Sequence, residues 1–232
     1  MTRNAALFIG QSILDFVFPP LCVLCGSAIQ SGNRLLCEKC RRDLPGLKKP
    51  LLAAAELVHP PKPPLWFDKT LALFEYNPQV QKLIHLCKYK NMPAFSAYFG
   101  ELLGVEFLRH PELNDVDMII PVPLHNARYR ERGYNQSALL ASAIKKISGV
   151  PVNTNVLKRN KYTPPQAKLK REDRVKNILG AFTAKKSAKI SNSCVAVVDD
   201  VVTTGTTVNE CARVLRSAGA KKVVILSITR IE

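Results

Sequence analysis

Cys194-Val195-Ala196-Val197-Val198-Asp199-Asp200-Val201-Val202-Thr203-Thr204-Gly205-Thr206-Thr207-Val208 is the stretch from which the fold of this chain is read. Cys194–Val198 is an unbroken apolar run rich in β-branched residues, which predicts a strand buried on both faces of a parallel sheet. Asp199 and Asp200 stand where that strand is expected to end. Thr203, Thr204, Gly205, Thr206 and Thr207 follow, and a helical pattern then runs from Val208 to Ala218. Strand, small hydroxyl-rich turn and helix N-terminus together make an anion cradle, because free backbone N–H groups and the positive helix end point at one spot. Gly205 lets the backbone approach the anion closely. The spacing is neither that of a Walker loop nor that of a Gly-x-Gly-x-x-Gly dinucleotide turn. Two acids beside a phosphate-sized nest suit a sugar phosphate. The nest would take the 5′-phosphate, and Asp199 and Asp200 would accept hydrogen bonds from ribose hydroxyls. The plainer alternative is an acidic strand end followed by a threonine-rich N-cap.

The same stretch resembles the phosphoribosyl-pyrophosphate (PRPP) motif of type I phosphoribosyltransferases. The resemblance implies a ligand whose pyrophosphate leaves from C1 of the ribose, with Mg²⁺ usually held between ribose and pyrophosphate.

The 232 residues allow one domain or two, and a hydrophobic content of 47% is ample for a packed core. A formal charge of +16 calls for anionic partners: nucleic acid, nucleotides or a membrane surface. No apolar run approaches the roughly 18 residues that a membrane helix needs. The first 18 residues could pass for a signal peptide. Gln11, Ser12 and Asp15 interrupt the apolar run, however, and no small-residue cleavage site follows. Leu7, Ile13, Leu14 and Val17 read instead as one face of an amphipathic helix, and the protein is expected to be cytoplasmic.

Seven cysteines make an odd count, and four form the pairs Cys22-x-x-Cys25 and Cys37-x-x-Cys40 around a short loop with Gly26, Ser31 and Gly32. Two tight turns, each offering a thiolate pair, are what a structural tetrahedral zinc needs. A redox Cys-x-x-Cys is the alternative, but that chemistry wants one pair at a helix start after a strand. Residues 43–64 are proline-rich and read as a linker or an extended wrap, with His59 a surface or packing residue.

Further along, Trp66–Tyr76 is strand-like, and helices are expected over 78–91 and 94–108. The first of these carries Lys82, His85, Lys88 and Lys90, a basic face that is most often merely solvated. Val116–Val122 is a second buried strand. The loop after it holds Arg128, Arg130 and Arg132, followed by Asn135 and Gln136 at the start of a helix reaching Ser148. Ligands of open α/β sheets lie outside the carboxyl ends of the strands, so this loop should face the Asp199 cradle. Its arginines suit a diphosphate or a nucleic-acid backbone, and a solvated basic loop is the alternative. Val152–Leu157 is expected as a strand, Phe182 as part of its partner, and Val223–Ile228 as the last strand. Between the first two lies a long basic segment that includes Arg159, Tyr162, Gln166, Lys168, Lys170, Arg171 and Arg174. Aperiodic segments of this length are functional lids or disordered. Here it would be a hood over the cavity or a contact for single-stranded DNA.

The expected architecture is α/β: a parallel-sheet domain over 68–232, a zinc module with its helix over 1–48, and a linker over 49–67. Nearly the whole chain resembles the ComF family of bacterial competence proteins. The resemblance rests on Cys22, Cys25, Cys37 and Cys40; on Pro121–Leu124 with Arg132–Gln136; on Arg159, Gln166, Arg174, Asn177 and Phe182; and on Asp199–Thr207. It implies a zinc finger joined to a type I phosphoribosyltransferase-like domain. It further implies a cytosolic role in handling single-stranded DNA during natural transformation, alongside other competence proteins such as a helicase or a recombination mediator. Two other readings stand beside it: a metabolic phosphoribosyltransferase acting on a small base or amine, and a transcriptional regulator that senses PRPP. No residue is marked as a catalytic nucleophile. The absence of an evident helix-turn-helix weakens the regulator.

Overall fold

The structure, a computed structural model, describes residues 19–29, 35–57, 64–89, 92–162, 177–185, 187 and 189–231. The chain divides into two compact units, Met1–Pro45 and Gly46–Glu232. The expected amphipathic helix near Leu7–Val17, Ser31 and Gly32, His59 and Lys90 all lie outside the described residues.

In the first unit Cys22 N–H donates to Ser27 O (2.8 Å) and Gly26 N–H to Cys22 O (2.8 Å), closing a tight turn around the first cysteine pair. A short helix, α1 (Glu38–Arg42), follows the second pair's first member. Cys37 caps it, its sulfur accepting from Cys40 N–H at 3.5 Å. Ile29, Leu36 and Leu44 are buried.

The second unit runs β1 (Leu51–Ala53), α2 (Ala54–Leu57), β2 (Lys69–Glu75), α3 (Pro78–Tyr89), α4 (Ala94–Leu108), β3 (Met118–Pro121), α5 (Asn126–Arg132), α6 (Gln136–Ser148), β4 (Leu157–Arg159), β5 (Phe182–Ala184), β6 (Cys194–Val202), α7 (Thr206–Ser217) and β7 (Lys222–Arg230). Five strands form one sheet in the order β1-β2-β7-β6-β3, parallel except for the antiparallel edge β1. Strands β4 and β5 form a separate antiparallel ribbon, in which Arg159 pairs with Phe182. Val152, within the strand expected there, makes only a lone parallel bridge to Ile119.

The acids do not end their strand. Pairing of β6 with β7 continues through Asp199↔Ser227 and Val201↔Thr229 to Val202↔Arg230. On its other side β6 loses its partner after Pro121↔Val198, because β3 is only four residues long. A half-paired strand end between two divergent connections is the switch-point crevice of an open α/β sheet. Successive strand residues face opposite sides. Asp199 therefore shares the face of Val195 and Val197, packed with α7 residues Val208, Cys211 and Leu215. Asp200 falls on the other face.

Gly100 and Gly104 set how closely α4 approaches α6. A Cβ on Gly100 would lie 2.6 Å from both Ala143 Cβ and Leu140 O, and one on Gly104 would lie 2.7 Å from Ile147 Cβ. The expected loop after β3 is largely helix α5. The His125 Nδ1 accepts from Ala127 N–H (3.2 Å) at its start, and Gly133 N–H donates to Tyr129 O (2.8 Å) at its end. Three arginines expected on one loop are thus spread around a helix.

Candidate phosphate and zinc sites

A hollow of about 560 Å³ opens where β6 passes into α7. Its floor is the 203–207 turn. Gly205, the N-cap residue, sits at φ +69, a left-handed conformation that glycine adopts without strain, and among the described residues no side chain caps the helix. The first-turn N–H groups of α7 are left for a ligand. Thr203, Thr206 and Thr207 line the hollow, while the Thr204 hydroxyl lies 2.7 Å from that of Thr206.

Four cations border the same space: Lys88 from the last turn of α3, Arg128 and Arg132 from α5, and Arg159 from β4. Lys88 Nζ stands 2.8 Å from Asp200 Oδ2, with the Asp200 side chain only 5% exposed. Burial alone would pull the Lys88 ammonium down, but Asp200, and Asp199 beyond it, hold it above its usual value. Asp199 accepts from the Ser137 hydroxyl (3.2 Å) and from Asp200 N–H (2.9 Å). Burial first, and then the Asp200 charge, push its carboxyl up to about 7. Burial lowers the Arg159 guanidinium, with Asp199 opposing, and its CZ lies 5.3 Å from the Phe182 ring centroid.

The structure thus gathers Asp199, Asp200, Thr203, Gly205, Thr206, Thr207, Arg128, Arg132, Gln136 and Arg159 around one hollow. Arg132 also donates to Gln136 Oε1. Other expected residues lie elsewhere. Arg130 borders a neighbouring hollow. Asn135 is the N-cap of α6, its Oδ1 accepting from Ser137 N–H and its Nδ2 donating to Val122 O, each at 3.0 Å. Tyr162 packs on the rim, its ring centroid 5.4 Å from that of His125 and 5.6 Å from Arg128 CZ. Gln166, Lys168, Lys170, Arg171 and Arg174 lie outside the described residues.

Ser137 carries no mark in the sequence, and Lys88, expected there only as part of a solvated basic face, instead pairs with Asp200. Lys88 follows Ile84 by four residues, and Ile84 and Cys87 lie on the buried side of α3, so the packing of the helix turns Lys88 toward the hollow.

In the first unit the sulfurs of Cys22, Cys25, Cys37 and Cys40 all lie within 4.8 Å of one another, and those of Cys25 and Cys37 are 3.7 Å apart. Zn–S bonds of about 2.3 Å arranged tetrahedrally place sulfurs roughly 3.8 Å apart, so the cluster fits a zinc ion. Hydrogen bonds from Ser27 pull the exposed Cys25 thiol down to about 6, whereas burial and the other sulfurs raise Cys40. Cys25 is thus a thiol that gives up its proton readily, and a bound metal would favour ionisation of the others.

The chain is 29% identical over 221 residues to competence protein F of Haemophilus influenzae, covering 90% of this chain and 96% of that protein. It is 30% identical over 227 residues to the DNA utilization protein YhgH of Escherichia coli K12, covering 91% of this chain and 97% of that one. The chain belongs to the ComF family. Within this ComF protein the double zinc ribbon domain family matches residues 13–51, and the phosphoribosyl transferase domain family matches residues 135–230. The zinc-ribbon module and the phosphoribosyltransferase-type α/β fold therefore stand on both sequence and geometry. The second match takes in β6 and α7 but begins after Lys88 and Arg128. A glutamine PRPP amidotransferase from B. subtilis overlays with a TM-score of 0.39 at 20% identity, covering 57% of this chain and 25% of that one, too partial to add to the argument. Among the described residues no helix is long and apolar enough to cross a membrane.

Proposed function

We propose that this ComF protein holds a 5-phosphoribosyl group, PRPP or a ribose 5-phosphate, in the hollow at the end of β6. We propose further that it binds single-stranded DNA in the cytoplasm as an accessory of DNA uptake, working with other competence proteins such as a helicase or recombination mediator. The observation that carries the reading is the convergence of an uncapped, threonine-rich helix start, a half-buried carboxylate and four cations on one hollow of about 560 Å³. The 203–207 turn would take the 5′-phosphate. Asp199 would accept from a ribose hydroxyl, and Asp200, engaged by Lys88, is the second acceptor once that ion pair opens. Arg128, Arg132 and Lys88 would face the pyrophosphate. The β4–β5 ribbon, with Arg159, would limit the access of water. The Asp199 carboxylate, bordering the hollow, offers oxygen to a hard cation such as Mg²⁺, which would also need oxygens from the ligand. Bound there, Mg²⁺ would neutralise charge on a departing pyrophosphate.

The DNA arm of the proposal is supported by the charge of +16 and by relatives named for competence and DNA utilization. A small-molecule phosphoribosyltransferase is the second reading, favoured because Lys88, Arg128, Arg132 and Arg159 converge on one hollow. One preparation tests both. Calorimetry with PRPP and Mg²⁺ should give saturable binding, and a labelled oligonucleotide should bind with log K falling against log salt. About five phosphate contacts give a slope near −3.5, from −0.7 per phosphate on single strands. PRPP binding without oligonucleotide binding at low salt would leave the small-molecule transferase; binding of neither would sink the proposal.

A further inference from the structure

A second hollow, of about 580 Å³, lies beside the first and shares a wall with it. Lys88, Tyr89, Arg128 and Arg132 border both, whereas Arg130 and Tyr134 border only the second. Four cationic side chains thus line it against one carboxylate, that of Glu131, which stands 3.7 Å from Arg128. Its aromatic members are held in place. The Tyr134 hydroxyl donates to Cys87 O at the end of α3. Tyr89 has its ring centroid 5.6 Å from Arg132 CZ and 4.7 Å from the His85 ring, yet stays 54% exposed.

Excess positive charge asks for a polyanion. The exposed Tyr89 ring next to an arginine asks for a flat ring between the anionic groups, the combination that single-stranded nucleic acid offers and inorganic or sugar phosphates do not. Duplex DNA keeps its bases stacked inside and presents no free ring to Tyr89. We infer that the hollow between the ends of α3 and α5 is a subsite for single-stranded nucleic acid, with a base on Tyr89 and backbone phosphates on Arg130 and Arg132. Because Lys88, Arg128 and Arg132 also border the first hollow, strand and phosphoribosyl ligand draw on the same cations and weaken each other's binding. This rests on the DNA arm of the proposed function and adds to it a location, a stacking residue and a linkage.

The test is fluorescence anisotropy of a labelled single-stranded oligonucleotide at low salt. Arg130→Glu and Tyr89→Ala alter exposed side chains, so both variants should fold, and each should weaken binding about fivefold or more. Tyr89→Phe keeps the ring and should bind like the parent. Lys145→Glu with Lys146→Glu reverses two charges at the exposed far end of α6 and serves as the charge control. Saturating ribose 5-phosphate should weaken the parent's oligonucleotide binding by about fivefold. Parent-like binding by Tyr89→Ala, or a loss in the lysine control equal to that in Arg130→Glu, would overturn the subsite. Additive binding of the two ligands would overturn the shared wall. A parent that binds no oligonucleotide would instead overturn the DNA arm of the proposed function, and this subsite with it.

Discussion

Lys88 at the end of α3 and Asp200 within β6 form an ion pair at 2.8 Å, with the Asp200 carboxylate 5% exposed. The helix whose basic face was expected to be merely solvated thus supplies the counter-ion of a buried strand acid. Removing one partner of such a pair leaves an uncompensated charge in a poorly solvated place, which costs about 3–5 kcal/mol. Lys88→Met should lower stability by that order in urea titrations. Adding Asp200→Asn should recover most of the loss, since the stranded charge is gone. A double variant as unstable as the sum of its singles would mean that the two residues are energetically independent.

Asp199 sets a pH dependence. Its folded carboxyl is pushed up to about 7, by burial and then by Asp200, against an ordinary value of 3.8 in the unfolded chain. Between those values the folded chain keeps a proton that the unfolded chain has released. Stability therefore falls as pH rises through that window and levels off above it. Thermal melts across the window, without added divalent cations, should show the decline in the parent, and Asp199→Asn should flatten it. An unchanged slope in the variant would place the titration elsewhere.

The order of strands and helices, the cradle and the cysteine cluster were legible because each rests on local chemistry: β-branched runs, small hydroxyl residues before a helix, paired thiols. What could not be read was set by partners distant in the chain. The extension of β6 to Val202 depends on β7, which pairs with it through Arg230. The separation of Asp199 and Asp200 onto opposite faces follows from that extension. Helix α5 was masked by the prolines before it, although the run ending at Gly133 carries a C-terminal stop signal. Lys88 looked like its solvated neighbours because only the packing of Ile84 and Cys87 turns it inward.

Cys22, Cys25, Cys37 and Cys40 should hold about one zinc ion per chain, seen by elemental analysis of protein purified without added metal. Structural zinc in small modules contributes on the order of 10–16 kcal/mol at neutral pH, far more than the buried side chains of Ile29, Leu36 and Leu44 can replace. Cys22→Ser or Cys40→Ser should therefore lose the metal and leave the first unit open to proteolysis. A full zinc content in Cys37→Ser, or an iron–sulfur absorption band, would refute the assignment.

Gly205 separates a binding role from a folding role at the head of α7. Its φ of +69 is unfavourable for a residue with a Cβ by about 1–2 kcal/mol, and relaxing that strain would turn the 203–207 backbone away from the hollow it floors. Gly219, beyond the other end of the same helix, has a φ of +106 and lies against Ser191, outside the hollow. Alanine at either position should lower the melting temperature by several degrees. Only Gly205→Ala should also weaken ribose 5-phosphate in calorimetry, by about tenfold, the equivalent of one charge-assisted hydrogen bond from the helix start. Equal affinities in the two variants would remove the turn from the phosphate site. An affinity loss in Gly219→Ala as large as that in Gly205→Ala would mean that general loosening, not the turn's geometry, governs binding.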